Sequence, residues 1–95
     1  MNKYEVLYVI RTDIEESVIK ETVDKFSAIV TENGGTVDKC DEWGKRRLAY
    51  AIDYKNEGYY VLMHFTGDSK LPAELERNFK ISDNILRYLV TRLPE

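Results

Sequence analysis

Four groups of side chains in this 95-residue sequence are of types that do chemistry: the single histidine His64, the single cysteine Cys40, the acid pairs Glu15-Glu16 and Asp41-Glu42, and the basic run Lys45-Arg46-Arg47. His64 has the titration range of a general base. No partner is placed for it, and the alternation Tyr60, Leu62, His64 makes it part of a strand surface. A reactive thiol needs electropositive surroundings. Cys40 has Lys39 beside it, but Asp38 and Asp41 as well, which hold a thiol protonated. One cysteine and one histidine complete neither an intramolecular disulfide nor a zinc site of three or four ligands. Glu15 and Glu16 suit the positive end of a helix, and Asp41 and Glu42 suit solvent. The sequence contains no Gly-x-Ser-x-Gly elbow, phosphate-cradling glycine loop or His-Glu-x-x-His motif, and its four serines have no base assigned to them. No enzyme activity, metal or cofactor is expected.

The basic run differs from the rest in its company. On a strand, Lys45 and Arg47 face one way and Arg46 the other. Lysine on an edge strand also discourages edge-to-edge pairing, so the run alone decides little. Trp43, Tyr50 and Tyr54 add aromatic surface around it, and cations with aromatic rings are what RNA recognition uses. The formal charge of −3 and a pI near 5.2 speak against a nucleic-acid partner only until the charge is resolved along the chain. Residues 12–44 hold nine acids against three bases. Residues 45–55 carry Lys45, Arg46, Arg47 and Lys55 against Asp53, and residues 77–92 carry Arg77, Lys80, Arg87 and Arg92 against Asp83, each a surplus of +3. The acidity belongs mostly to one region.

Elements that could position these groups follow from periodicity. Lys3 to Arg11 alternates Tyr4, Val6, Tyr8 and Ile10 with Lys3, Glu5, Leu7, Val9 and Arg11, a strand whose second face is mixed rather than polar. Asp13 with Glu16 three residues on has capping-box spacing, and Val18, Thr22, Phe26, Ile29 and Val30, with Ile19 and Val23 beside them, keep helical spacing up to Gly34-Gly35, predicting a helix over 14–33. Thr36 to Asp53 reads as one long strand with a bulge at Gly44. Lys55-Asn56-Glu57-Gly58 is the expected turn, and Tyr59 to Thr66 the returning strand. Asp68 or Ser69 caps a short helix with Pro72 in its first turn and a Leu71, Leu75, Phe79 stripe. Ile85 to Val90 is the last strand.

The order β-α-β-β-α-β predicts an α+β, ferredoxin-like fold: one domain over residues 1–95, with a four-stranded antiparallel sheet and two helices on one face. Strands one and three take the centre, two and four the edges. The second face is then open and presents Leu7, Val9, Tyr60, Leu62 and His64, a patch a monomer rarely leaves idle. The RNA-recognition motif has a similar fold, but its base-stacking pattern fails here. In Gly58-Tyr59-Tyr60-Val61-Leu62-Met63-His64-Phe65, Tyr60 replaces the small residue, Val61 the second aromatic, and Glu57 the basic residue. The longest apolar run, Val6 to Ile10, is far short of the ~20 residues of a membrane span. Lys3 and Glu5 sit where a secretory signal would build its apolar stretch, so a cytoplasmic protein is expected.

Four blocks carry a family resemblance over nearly the whole chain: Lys3-Tyr4-Glu5-Val6-Leu7-Tyr8-Val9-Ile10-Arg11; Trp43-Gly44-Lys45-Arg46-Arg47-Leu48-Ala49-Tyr50-Ala51-Ile52; Gly58-Tyr59-Tyr60; and Ile81-Ser82-Asp83-Asn84-Ile85-Leu86-Arg87. Together they resemble the bacterial ribosomal protein S6 family. The resemblance implies a ferredoxin-like, non-enzymatic protein of the small ribosomal subunit. Such a protein binds the central domain of small-subunit ribosomal RNA together with a small basic partner, ribosomal protein S18. On that reading the free chain is a monomer. Lys3, Lys45, Arg46, Arg47, Lys55, Arg87 and Arg92 are the candidate RNA contacts. Leu7, Val9, Tyr60 and Leu62 are candidates for the protein-partner surface. A competing reading is a ferredoxin-like module or small enzyme that dimerises through the open face. An acylphosphate hydrolase on this fold would want a glycine-rich anion loop after the first strand, where Thr12-Asp13-Ile14-Glu15-Glu16 is acidic instead.

Overall fold

The structure, a computed structural model, describes residues 1–52 and 55–94, with 48–52 and 55–56 as backbone only. Alternation sets the first element. β1 (Asn2–Ile10) turns Tyr4, Val6, Tyr8 and Ile10 inward, all 6 % exposed or less. β2 (Thr36–Ile52) and β3 (Lys55–Gly67) form a long hairpin, β4 (Ile85–Arg92) is the last strand, and the sheet order is β2-β3-β1-β4 with every pairing antiparallel. The central pair and the edges are those expected from the connectivity.

The two helices cover one face. α1 (Glu16–Glu32) buries Ile19, Thr22, Val23, Phe26, Ile29 and Val30, and α2 (Leu71–Ile81) buries Leu71, Leu75 and Phe79, the stripes read from the sequence except that Val18, at the head of the first, is only half-buried while Ile19 beside it packs. Phe26 and Phe79 stack at 4.3 Å between centroids where the helices meet, and Tyr8 rises from the sheet to touch both, at 5.4 and 5.1 Å. Tyr4 stacks on Phe65 at 5.3 Å. Apolar burial of this kind is the main favourable term in folding.

Four local details differ from the sequence reading. α1 starts at Glu16 with Glu15 at its cap, two residues later than expected. Asp13 does not cap because Arg11 claims it, Nε and Nη2 donating to its two carboxylate oxygens at 2.6 and 2.8 Å. Lys55-Asn56-Glu57-Gly58 is strand rather than turn: Ile52 pairs with Lys55, Arg47 with Glu57 and Arg46 with Gly58. Pairing to β2 supplies backbone partners that a turn would have left to solvent. Residues 53–54, between the two strands, lie outside the described residues. β4 runs two residues past Val90, held by Arg92 opposite Tyr4 and by the Leu93 N–H donating to the Lys3 carbonyl at 2.9 Å. At α2 the cap position is Lys70 and no side chain caps it: the Asp68 carboxylate, expected with Ser69 as the cap, instead accepts from the Lys70 N–H itself at 2.8 Å, while Pro72 lies in the first turn as expected.

Candidate nucleic-acid interface

Two features of the hairpin position the candidate side chains. The first is reach. β1 accompanies β3 only as far as the Ile10–Tyr59 pair, so beyond it residues 46–52 and 55–58 form a two-stranded arm with no third strand among the described residues. The basic run is carried out along this arm. The second is the bulge at Gly44, which takes φ +83° where the β2–β3 register shifts between Glu42 and Gly44. Only a residue without a Cβ adopts that conformation freely.

With the register fixed, the open face resolves into cross-strand rows. In one row Tyr60 (β3), Val9 (β1) and Arg87 (β4) lie side by side, with Trp43 beside Tyr60 from β2. The Trp43 and Tyr60 rings are within 7° of parallel at 6.3 Å, and the Arg46 guanidinium lies 5.4 Å over the Trp43 ring. The next row is Asp41, Leu62, Leu7, Leu89. The row after that is Lys39, His64, Glu5, Thr91, in which His64 Nε2 is 3.5 Å from Glu5 Oε1 and Lys39 Nζ is 3.1 Å from Asp41. Thr66 closes the sequence by donating its hydroxyl to Asp38 at 2.6 Å. The face is cationic and aromatic at one end, aliphatic in the middle, and ion-paired at the other.

On the helix-covered side, Tyr59 donates its hydroxyl to Glu42 at 2.9 Å, and its pKa is raised by burial first and then by that carboxylate. Lys45 lines a cleft here with Glu16, Lys20, Glu42 and Tyr59. Cys40 is held protonated by partial burial of its sulfur, the largest cause, and by Glu42, Asp41 and Asp24, against a hydrogen bond with Ser27 that acts the other way. The thiol is therefore a poor nucleophile.

Sequence comparison gives this arrangement its context. The ribosomal protein S6 family profile matches residues 3–92. The chain belongs to the ribosomal protein S6 family. It is 50 % identical to small ribosomal subunit protein bS6 of Thermoanaerobacter pseudethanolicus over 95 residues, covering all of both chains. It is also 50 % identical to the bS6 protein of Clostridium acetobutylicum over 93 residues, 98 % of each. The solved structure of 30S ribosomal protein S6 from Thermotoga maritima superposes with a TM-score of 0.92 at 29 % identity, over 97 % of this chain and 87 % of that one. The family is one of structural ribosomal proteins, not enzymes. No helix among the described residues is long and apolar enough to cross a membrane.

The structure sorts the candidate contacts of this S6-family chain. Arg46 and Arg87 both serve the open face, at the end where the arm leaves the sheet. Arg47 lies on the arm opposite Glu57, whose carboxylate accepts from Thr12 at 3.4 Å. Lys45 turns to the acid-lined cleft, so alternation divides the basic run between two faces as expected. Lys55 opens β3 and is described as backbone only, as is Tyr50; Tyr54 lies outside the described residues. Lys3 and Arg92 stand apart at the opposite end of β1, where Arg92 Nη2 donates to the Asn2 side chain at 2.9 Å. Of the apolar candidates, Leu7, Tyr60 and Leu62 are half-buried on the open face. Val9 faces the same way but is only 3 % exposed, because Tyr60 and Arg87 flank it; it is a floor, not a contact surface. Sequence reasoning missed Leu89, 66 % exposed and directly opposite Leu7. Its signal, the alternation along β4, is hidden because Ile85, Leu86, Leu89 and Val90 are apolar on both parities.

Proposed function

We propose that this chain, acting as a single domain and monomeric when free, is a structural component of the small ribosomal subunit in the cytoplasm. In this reading it binds the central domain of small-subunit ribosomal RNA together with ribosomal protein S18. The observation that carries the RNA half is the cationic end of the molecule: Arg46 and Arg87 share the open face where the hairpin arm leaves the sheet, with Arg47 farther along the arm and the Lys55 position at the start of β3. Phosphate contacts position a protein without reading sequence, and guanidinium groups suit them by geometry. Lys45, among Glu16 and Glu42, contributes less than Arg46 or Arg47. Lys3 and Arg92, at the opposite end of β1, belong to a second, separate contact. The protein half rests on the aliphatic row Leu7, Leu62 and Leu89 beside the carboxylates Glu5 and Asp41, a surface suited to a basic partner with apolar anchors.

The test is a titration of a central-domain ribosomal RNA junction fragment, with and without S18, over a range of salt. Each phosphate contact removed lowers the slope of log affinity against log salt by about 1. Arg46→Ala with Arg47→Ala is expected to lower it by about 2. An unchanged affinity and slope overturns the basic-arm reading. A stable homodimer indifferent to both RNA and S18 favours instead a module that dimerises through its open face.

A further inference from the structure

The row at the cationic end of the open face holds more than charge. Tyr60, Val9 and Arg87 are neighbours on three adjacent strands, and between them lies a shallow depression of about 180 Å³ lined also by Leu7, Leu89 and Tyr88. Val9 is its apolar floor. Tyr60 forms one wall and Arg87 the other. Tyr60 is backed by the parallel ring of Trp43, which is itself 41 % exposed and carries the Arg46 guanidinium. The register shift between Glu42 and Gly44 falls at Trp43, whose ring lies beside that of Tyr60 with the Arg46 guanidinium over it.

We infer that the Trp43–Tyr60 pair and the adjoining slot between Tyr60 and Arg87 seat an unpaired RNA base, with Arg46 and Arg87 holding the phosphates on either side of it. A flat apolar floor, a π-face and two flanking cations match a nucleotide extruded from a helix, and stacking on aromatic rings is how proteins hold single-stranded bases. A protein side chain would want a deeper, uncharged pocket; the aliphatic row one step along the strands is the better seat for that. This inference rests on the RNA reading above and divides the open face: Tyr60 and Val9 belong to RNA, while Leu62, Leu7 and Leu89 are left for the protein partner. It departs from the RNA-recognition motif, because the platform combines a β2 ring with a β3 ring instead of using the alternating aromatics of one strand.

Trp43 is the only tryptophan in the chain, so its emission reports on this seat alone. Titration of the whole protein with a single-stranded octaribonucleotide is expected to quench it. The duplex of the same sequence and inorganic polyphosphate, which offer charge without an unpaired base, are expected to leave it unchanged. Trp43→Ala is expected to weaken binding to the ribosomal RNA junction, with S18 present, by about tenfold at an unchanged salt slope, the size of one lost base stack. Trp43→Phe is expected to recover most of that loss, which a folding defect would not allow. If Trp43→Ala leaves RNA affinity unaltered while Arg46→Ala with Arg47→Ala weakens it, the seat is wrong and the basic-arm reading survives. If polyphosphate quenches as well as the oligonucleotide, charge alone explains the signal and the seat is overturned. If Trp43→Ala weakens S18 binding without RNA by the same factor, the corner is a protein seat and the inference fails.

Discussion

Tyr8 offers a direct test of the packing that carries the open face. Its ring is fully buried between Phe26 and Phe79, and its hydroxyl is buried with no hydrogen-bond partner among the described residues. A buried hydroxyl without a partner costs about 1–3 kcal/mol. Tyr8→Phe removes that cost and leaves a void the size of one oxygen, which at about 24 cal/mol per Å³ takes back a few tenths of a kcal/mol. The expected net gain at neutral pH is about 0.5–2 kcal/mol. In a domain of this size each kcal/mol raises Tm by roughly 4–8 °C. A second readout is alkaline. Burial, followed by the fields of Cys40, Glu42, Asp24 and Tyr59, pushes the Tyr8 pKa upward, so the folded chain keeps a proton that the unfolded chain releases near pH 10. The unfolded state then binds fewer protons, and stability falls as pH rises above about 10. Cys40 and Tyr59, also pushed up, add slopes of the same sign. Tyr8→Phe should remove one proton from that slope, about 1.4 kcal/mol per pH unit, while the other two remain. Urea unfolding between pH 7 and 11 measures both quantities. A variant less stable than the parent by more than about 1 kcal/mol at pH 7, or one with the parent's alkaline slope, refutes the reasoning.

Two adjacent glycines should fail for different reasons. Gly34 has φ +80° and open space around its α-carbon, so Gly34→Ala costs about 1–2 kcal/mol of backbone strain and Gly34→Asn recovers much of it. A Cβ at Gly35 would stand 2.8 Å from the Thr66 carbonyl oxygen and 2.7 Å from Leu71 Cδ2, so Gly35→Ala costs about 1–3 kcal/mol and asparagine does not help. Urea midpoints of the four variants separate the two mechanisms. Leu89→Glu, at a position 66 % exposed, should change stability by less than about 0.5 kcal/mol yet weaken S18 binding at least tenfold, as read by calorimetric titration. Unchanged binding would remove the aliphatic row from the partner surface.

How much of this was legible in the sequence depends on whether the controlling interaction is local. The helix stripes, the alternation of β1 and the bulge at Gly44 rest on periodicity or backbone permission within a few residues, and the sheet order follows from the handedness of the crossovers that join those elements; apart from Val18, only half-buried, the structure reproduces them. The turn at Lys55 to Gly58 was misread because Asn56 and Gly58 have turn chemistry, while the ladder that holds them comes from Arg46 and Arg47 across the hairpin. The cap at Asp13 was misread for the same kind of reason, since Arg11 competes for the carboxylate. The candidate interface was legible as a list of residues and not as a surface. Lys45 and Arg46 are neighbours in sequence and lie on opposite faces, whereas Arg46 and Arg87 are forty-one positions apart and share one. Register across all four strands decides that, and register is set by the whole fold.

The same register explains how a chain of net charge −3 can present a cationic end. Charges cancel in their effect on a ligand only if they lie within a screening length of it, about 8 Å at physiological salt. Strand residues advance about 3.4 Å each, so Glu5 stands roughly 14 Å along β1 from the Val9 row. Its neighbour on the next strand is the His64 imidazole, with Nε2 3.5 Å from the carboxylate, and Asp41 has Lys39 at 3.1 Å. The open-face acids are therefore either locally paired or beyond the distance at which they could oppose a phosphate at Arg46 or Arg87. Of the carboxylates that do approach the basic run, Glu16 and Glu42 sit around Lys45 on the helix-covered side, with Tyr59 holding Glu42 in place, and Glu57 stands opposite Arg47 on the arm. Moving one charge should expose this arrangement. In Val9→Glu or Leu7→Glu the acid enters the row at, or next to, the arginines, and RNA affinity should fall more than in Glu5→Gln it rises, although each changes the net charge by one. Equal and opposite effects would mean that net charge governs binding after all, and that the rows have no part in it.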